Sequence, residues 1–333
     1  MKFCCTNCFH DRFLKKQILG FSDKIGNCNY CNSSNINILN IEKLQDFFEI
    51  IIELYEENED GISLSEILDK DWKIFNLSTE LSNVLLLNIL KNENLSKLKF
   101  INTLEKSSEN IWIHFKEELK HNNRYFPNDN NLSTKNLKRI IKDFTSLTYT
   151  KRVYRARINT TENIFSKDEM GKPPCKIATE GRANPIGISY LYVASDEKTA
   201  ISEVRPNKGD IVTVAKIKLP NGLKFLDTTD LKNKISPFEF SDNVLQSLYK
   251  SINLLEKFGE ELSKPVLPRE AHLEYLLTQY LTELVKHFGF DGLIYKSSVG
   301  KGYNIVIFDH EELEFLDLKE YKIKNILTKF ENI

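Results

Sequence analysis

The chain has 333 residues, 41% hydrophobic and 28% charged, which is ordinary for a globular protein and long enough for two domains. Its 46 basic and 47 acidic side chains leave a net charge of −1, so no global field draws it to nucleic acid or anionic lipid. No apolar run reaches the length of a membrane span, and the opening MKFCCTNCFHDRF breaks a signal-peptide pattern with cysteines and charges; a cytoplasmic location is the expectation.

Residues 1–40 hold Cys5, Cys8, Cys28 and Cys31 as C-x2-C-x19-C-x2-C. Two such knuckles separated by a loop give the spacing of a four-thiolate zinc site, and in a reducing compartment metal explains paired cysteines better than disulfides do. With every position filled by sulfur, the metal would staple the fold and take no part in catalysis. Cys4 could stand in for Cys5, and Cys175 is remote. A redox dithiol is the competing reading. The same stretch is mildly basic, with Lys2, Arg12, Lys15, Lys16 and Lys24 against Asp11 and Asp23.

Residues 41–150 read as helical. NIEKLQDFFEIIIELYEEN, LSNVLLLNILKN and NIWIHFKEELKH space apolar residues three and four apart, and SLSE at Ser63–Glu66 matches a capping box. The polar HNNRYFPNDNNLSTKN reads as a loop. Beyond 150 the pattern changes to short β-branched and aromatic runs: RVYRARI, SYLYVAS, DIVTVAKIKL, LKFLDTT, GLIYKSS and YNIVIFD. Between them lie a short helix from about Asp196 to Val204, with Ser195 as its N-cap, and a long one from Pro268 that Gly289 ends. Strands that do not alternate regularly with helices predict an α+β fold.

Four pieces of the second half, VYRAR, GRANPIGISYLYVA, TAISEV and GFDGLIYKSS, extended by GYNIVIF, occur in an order and spacing that resembles the RES domain family. The likeness runs from Lys151 to about Asp309. That family includes NAD-degrading toxins of bacterial toxin–antitoxin pairs, and the resemblance implies a fold similar to ADP-ribosyltransferases. The front half is similar to a companion of that domain, a zinc knuckle followed by a HEPN-like helical region. Some HEPN proteins are ribonucleases with an arginine shortly before a histidine, but His114 and His121 precede Arg124 and Arg139, so the region reads as scaffold or interaction surface. The division expected is a zinc knuckle at 1–40, a helical domain at 41–150 and a RES domain at 151–333.

The resemblance implies cleavage of the nicotinamide N-glycosidic bond of NAD. That reaction makes the ribose carbon cationic, and a carboxylate nearby lowers the barrier. Glu203 is the candidate for this role, although a solvated helix glutamate is the plainer reading. Arg155 and Arg182 match the family arginines that would clasp the diphosphate in bidentate geometry, with Arg157 as an alternative contact because it alternates onto the face of Arg155. Tyr192, then Tyr154, would stack on nicotinamide. Ser297 would hydrogen-bond the substrate, with Ser298 in reserve. No G-x-S-x-G elbow supports a serine hydrolase. NAD as substrate, structural zinc and an antitoxin or regulatory partner complete the expectation, with hydrolysis and phosphorolysis both open. The competing functions are ADP-ribosyl transfer to a macromolecule and a zinc-knuckle adaptor with an inactive second half.

Overall fold

The computed structural model describes residues 1–128, 137–138, 141–147, 152–160, 165–266, 268–309 and 313–326. Arg139, residues 129–136 of the loop read at 121–136 and the boundary at 150/151 lie outside them. Two units divide the chain: Met1–Trp112 with Asp230–Leu254, and Ile113–Thr229 with Leu255–Ile333.

In the first unit, strands β1 (Phe3–Cys5), β2 (Lys24–Gly26) and β3 (Ile36–Asn40) form an antiparallel sheet in the order β1-β3-β2. Helix α1 (Arg12–Gly20) starts where the Asp11 carboxylate accepts the Leu14 amide at 2.8 Å, and it buries Leu14 and Ile18, four residues apart. The predicted helix at 40–58 is shorter than its pattern. It runs as α2 (Gln45–Ile52), after which Tyr55–Ile62 extends as β4 and pairs with β5 (Phe100–Asn102). Extending the chain at this point carries the Tyr55 hydroxyl to Asp71, which it meets at 3.1 Å.

Helices α3 (Leu64–Trp72), α4 (Thr79–Leu90) and α5 (Thr103–Glu117) follow the expected spacings. The Ser63 amide donates to the Glu66 carboxylate at 3.1 Å, the returning half of a capping box. The core of this unit includes residues from far along the chain: Phe238 meets Phe48 at 5.1 Å between ring centroids, and Tyr249 meets Trp72 at 5.7 Å.

The second unit is built on an eight-stranded mixed sheet. Its strands are β6 (Thr145–Leu147), β7 (Arg152–Ile158), β8 (Leu191–Ala194), β9 (Ile211–Lys218), β10 (Lys224–Asp227), β11 (Gly292–Lys296), β12 (Tyr303–Ile307) and β13 (Glu314–Lys322), in the order β13-β9-β7-β8-β12-β11-β10-β6. Among the described residues only β10 and β11 pair in parallel. All six predicted strands are present, and β6 and β13 are additional.

The short helix α6 (Glu197–Glu203) is capped by Asp196, whose carboxylate accepts the Thr199 amide at 2.9 Å. Ser195, the expected cap, instead donates its hydroxyl to Asp196 at 2.9 Å. A 22-residue helix, α7 (Asp242–Ser263), was not among the predicted elements, although Leu245, Leu248, Ile252 and Leu255 carry its apolar stripe.

The predicted long helix from Pro268 is interrupted. A 3-10 turn at Pro268–Glu270 and a helical turn at Ala271–Glu274 precede α8 (Leu276–His287). The joint lies at Glu274, held by Lys116 and Lys120. Gly289 follows α8 at φ +86°, a left-handed position that favours glycine. Helices do not alternate regularly with the strands, whose pairing is largely antiparallel, and the architecture is α+β.

Candidate functional site

Strand alternation sorts the middle of the large sheet. Val153, Val193, Ile305 and Ile294 lie in one apolar cluster. Between them, Tyr154, Ala194, Asn304 and Tyr295 stand opposite one another across β7, β8, β12 and β11 and share the other face. Strands β7 and β8 pair only at Tyr154 and Ala194. Around that point lies a cleft of about 300 Å³, lined from β7 by Tyr154, Arg155 and Ala156, from β8 by Tyr192 and from α6 by Glu203, with Tyr295 and Asn304 also exposed to it.

Glu203 ends α6 with one oxygen committed. Its Oε1 accepts from the Ser297 hydroxyl at 2.6 Å and from Asn304 Nδ2 at 2.7 Å, while Oε2 takes no hydrogen bond among the described residues. Ser297 in turn accepts the amides of Gly300 at 2.8 Å and Val299 at 3.2 Å. Its single proton goes to Glu203 and both lone pairs are used, so the hydroxyl braces the carboxylate and has no proton left for a ligand. Ser297 is not among the residues lining the cleft.

The turn that carries Ser297 lies against the start of α6. A Cβ at Gly300 would come within 2.7 Å of the Thr199 hydroxyl, and one at Gly302 within 2.1 Å of the Ser195 hydroxyl.

Arg155 is the cation of the cleft. One of its terminal nitrogens donates to the Tyr192 carbonyl at 3.4 Å, and its Nε is buried without a partner. Burial pulls its pKa down to about 10, and the neighbouring cation Arg157 acts in the same direction. Arg157 itself does not line the cleft; its guanidinium lies 5.5 Å from the ring of Phe165. Arg182 is also outside the lining and donates to the Leu262 carbonyl at 2.8 Å. Of the predicted residues, the fold thus brings Glu203, Arg155, Tyr154 and Tyr192 to one cleft and sets Ser297 behind Glu203; Arg157 and Arg182 do not line it, although the charge of Arg182 acts on Tyr192 and Tyr295, which do.

The GRANPIG segment is fixed by Asn184, which sequence reasoning did not single out. Asn184 Nδ2 donates to the carbonyls of Thr179 at 2.9 Å and Ile188 at 2.8 Å, and its Oδ1 accepts the Tyr192 hydroxyl at 2.6 Å. Gly181 is required by contact, because a Cβ there would lie 2.6 Å from Asn184 Oδ1 and 2.8 Å from the Tyr192 hydroxyl. Gly187 supplies the φ of +80° at which the loop turns. The Tyr192 phenol is thereby held within the protein, and burial pushes its pKa up.

Tyr295 and Asn304 were also missed. Both lie in quoted motifs, and the hairpin register that pairs Lys296 with Tyr303 brings Tyr295 opposite Asn304.

In the first unit the sulfurs of Cys5, Cys8, Cys28 and Cys31 all lie within 4.8 Å of one another. Cys5 and Cys31 approach to 3.3 Å and Cys8 and Cys28 to 3.4 Å, near the spacing of about 3.8 Å that four sulfurs adopt around a tetrahedral ion. The Cys8 thiol hydrogen-bonds Cys28 and holds its pKa below the ordinary thiol range. These four cysteines could hold a metal ion. Alternation along β1 separates Cys4 from Cys5, and Cys4 is buried outside the cluster. Gly26 lets β2 approach β3, since a Cβ there would meet the Ile38 side chain at 2.8 Å.

No helix among the described residues is long and apolar enough to cross a membrane. No curated protein matches the chain. Among solved structures it is similar to a chain of the M. tuberculosis MbcT–MbcA toxin–antitoxin complex, at 11% identity and a TM-score of 0.36 over 56% of this chain and 93% of that one. The family model described as the RES domain matches residues 152–324, more than half of the sequence and the whole of the cleft, and the chain belongs to the RES domain family.

Proposed function

We propose that the cleft binds the nicotinamide riboside end of NAD and that the protein breaks the bond between nicotinamide and ribose. The observation that carries this reading is a pair of unsatisfied groups in one hollow: the free Oε2 side of Glu203 and the unpartnered Nε of Arg155. A buried guanidinium without a carboxylate is costly in an empty site and well suited to an anionic ligand. The volume of about 300 Å³ is at the small end of ligand sites and fits one end of a dinucleotide.

In this reading the C1′–N bond breaks with its electron pair leaving on the nicotinamide nitrogen, which becomes neutral. Positive charge develops on the ribose, and Oε2 of Glu203 opposes it, gripping a ribose hydroxyl. Water adds to the ribose and loses a proton, or inorganic phosphate adds and gives a sugar phosphate. Tyr154, Tyr192 and Tyr295 supply aromatic walls for the departing ring. Arg155 faces the phosphates, while Arg182 anchors the loop to the end of α7.

Zinc, held by Cys5, Cys8, Cys28 and Cys31, would staple the first unit and has no part in the chemistry. An antitoxin or regulatory protein that silences such an activity belongs to the same proposal. The test is product identification after incubating the full chain with NAD, with and without phosphate. Free ADP-ribose supports hydrolysis, a phosphate-dependent ADP-ribose 1-phosphate supports phosphorolysis, and intact NAD in both arms overturns the proposal.

A further inference from the structure

Resting on that reading, we infer that Asn304 is a positioning residue that fixes the orientation of the Glu203 carboxylate, so that one of its oxygens is held toward the ligand. Asn304 is 6% exposed on β12, with Ala194 of β8 and Tyr295 of β11 as its cross-strand neighbours. Its Nδ2 reaches Glu203 Oε1 at 2.7 Å, the same oxygen that takes the Ser297 proton at 2.6 Å.

Two donors on one oxygen fix the carboxylate plane, because a partial rotation about the last side-chain bond would carry that oxygen away from both of them. The arrangement leaves Oε2 as the carboxylate oxygen without a partner among the described residues. Ser297 alone cannot do this. One hydrogen bond leaves the carboxylate free to pivot about it, whereas the second, from a residue anchored in the middle of the sheet, closes that freedom. Asn304 itself makes no reacting contact in this scheme and acts through Glu203.

The charged and titratable groups around the position are Glu203 from α6, Arg155 and Tyr154 from β7, Tyr192 from β8 and Tyr295 from β11, with the charge of Arg182 also reaching Tyr192 and Tyr295. Among them only Glu203 is a carboxyl group, and its Oε1 is the atom that Asn304 meets, so a second carboxyl placed at 304 faces that oxygen first. In Asn304→Asp a protonated carboxylic acid can donate to Oε1 as the amide does, and an ionised one repels it.

The experiment measures nicotinamide release from NAD by the full chain, with kcat and KM determined from pH 5 to 9 for wild type, Asn304→Ala and Asn304→Asp, and melting recorded for each. Asn304→Ala is expected to lose kcat by about 10- to 100-fold with KM changed by less than about threefold, as for a displaced catalytic group. Asn304→Asp is expected to recover toward wild type at the acid end and to fall away as pH rises, relative to wild type at each pH. If Asn304→Ala fails to fold, the pH profile of Asn304→Asp decides alone. A folded Asn304→Ala with wild-type kcat, or an Asn304→Asp that tracks wild type at every pH, overturns the inference while leaving NAD cleavage standing. A wild type that releases no nicotinamide overturns the reading beneath it and this inference together.

Discussion

Replacing Glu203 by alanine would remove the acceptor of both Ser297 and Asn304, so a loss of activity would be mixed with a loss of packing. Glu203→Gln keeps the shape and removes the charge. It is expected to lower turnover by about 100- to 1,000-fold, the usual effect of removing one group that opposes transition-state charge, with melting within a few degrees of wild type.

Arg155 gives the opposite pairing of effects. Its pKa in the folded protein, about 10, lies below the ordinary 12.5, so the charged form weighs against folding at any pH below about 10, and this penalty fades as pH climbs from there toward 12.5. Arg155→Met is therefore expected to gain about 0.5–2 kcal/mol in a urea titration at pH 7 while losing NAD turnover, and the gain should shrink in alkaline buffer. A variant less stable than wild type at pH 7 would contradict this.

At this scale the resemblance names Glu203, Arg155, Tyr154 and Tyr192 by residue type and spacing, and the fold brings these four to one cleft. It did not reveal that Ser297 serves Glu203, since alternation along a strand tells which face a residue takes and nothing about its partner. Asn304 and Asn184 stayed unnoticed for the same reason, in a chain where asparagine is common.

Local devices determine whether the elements around the cleft keep their places. The segment from Gly181 to Tyr192 is held by Asn184 inside and by Gln279, whose side-chain nitrogen donates to the Gly181 carbonyl at 2.9 Å. Gly181→Ala would drive a methyl into both Asn184 and Tyr192, and a destabilisation of about 1–3 kcal/mol with weaker NAD saturation is expected. Unchanged melting and KM would show that the loop gives way without cost.

In the first unit, the cysteine cluster brings together turns some twenty residues apart. Purified protein is expected to carry about one zinc per chain, and a chelator should lower its first melting transition. Metal-free protein with the same melting curve would contradict the zinc assignment.

The strands of the second unit were legible because β-branched runs bounded by glycine and aspartate announce themselves. Two errors were of another kind. Residues 55–58 continue the apolar spacing of α2 and were expected to be helical, and pairing with β5 overrides that local pattern. Helix α7, absent from the expected elements, carries Leu245, Leu248, Ile252 and Leu255 at the same three-to-four spacing as the other helices.

Across the whole molecule, the sequence suggests a cut near 150 that would free the second half. The fold places Asp230–Leu254 with the first unit, where Phe238 packs on Phe48 and Tyr249 on Trp72. A fragment beginning at Lys151 would expose both aromatics, and it is expected to be poorly soluble or to melt well below the full chain. A soluble fragment with wild-type turnover would show that this excursion of the chain is dispensable. Contacts between residues so far apart in sequence leave no local trace, which is why no composition shift marked them.

The central claim is that an oxygen of Glu203 in the cleft of the second unit acts on the nicotinamide–ribose bond. The most direct measurement is the initial rate of nicotinamide release from NAD by the full-length protein and by Glu203→Gln, side by side, with melting curves for both. Release by wild type and loss of about two to three orders of magnitude in a folded Glu203→Gln is the predicted result. Equal rates in the two proteins, or no release by folded wild type in phosphate buffer, would contradict it.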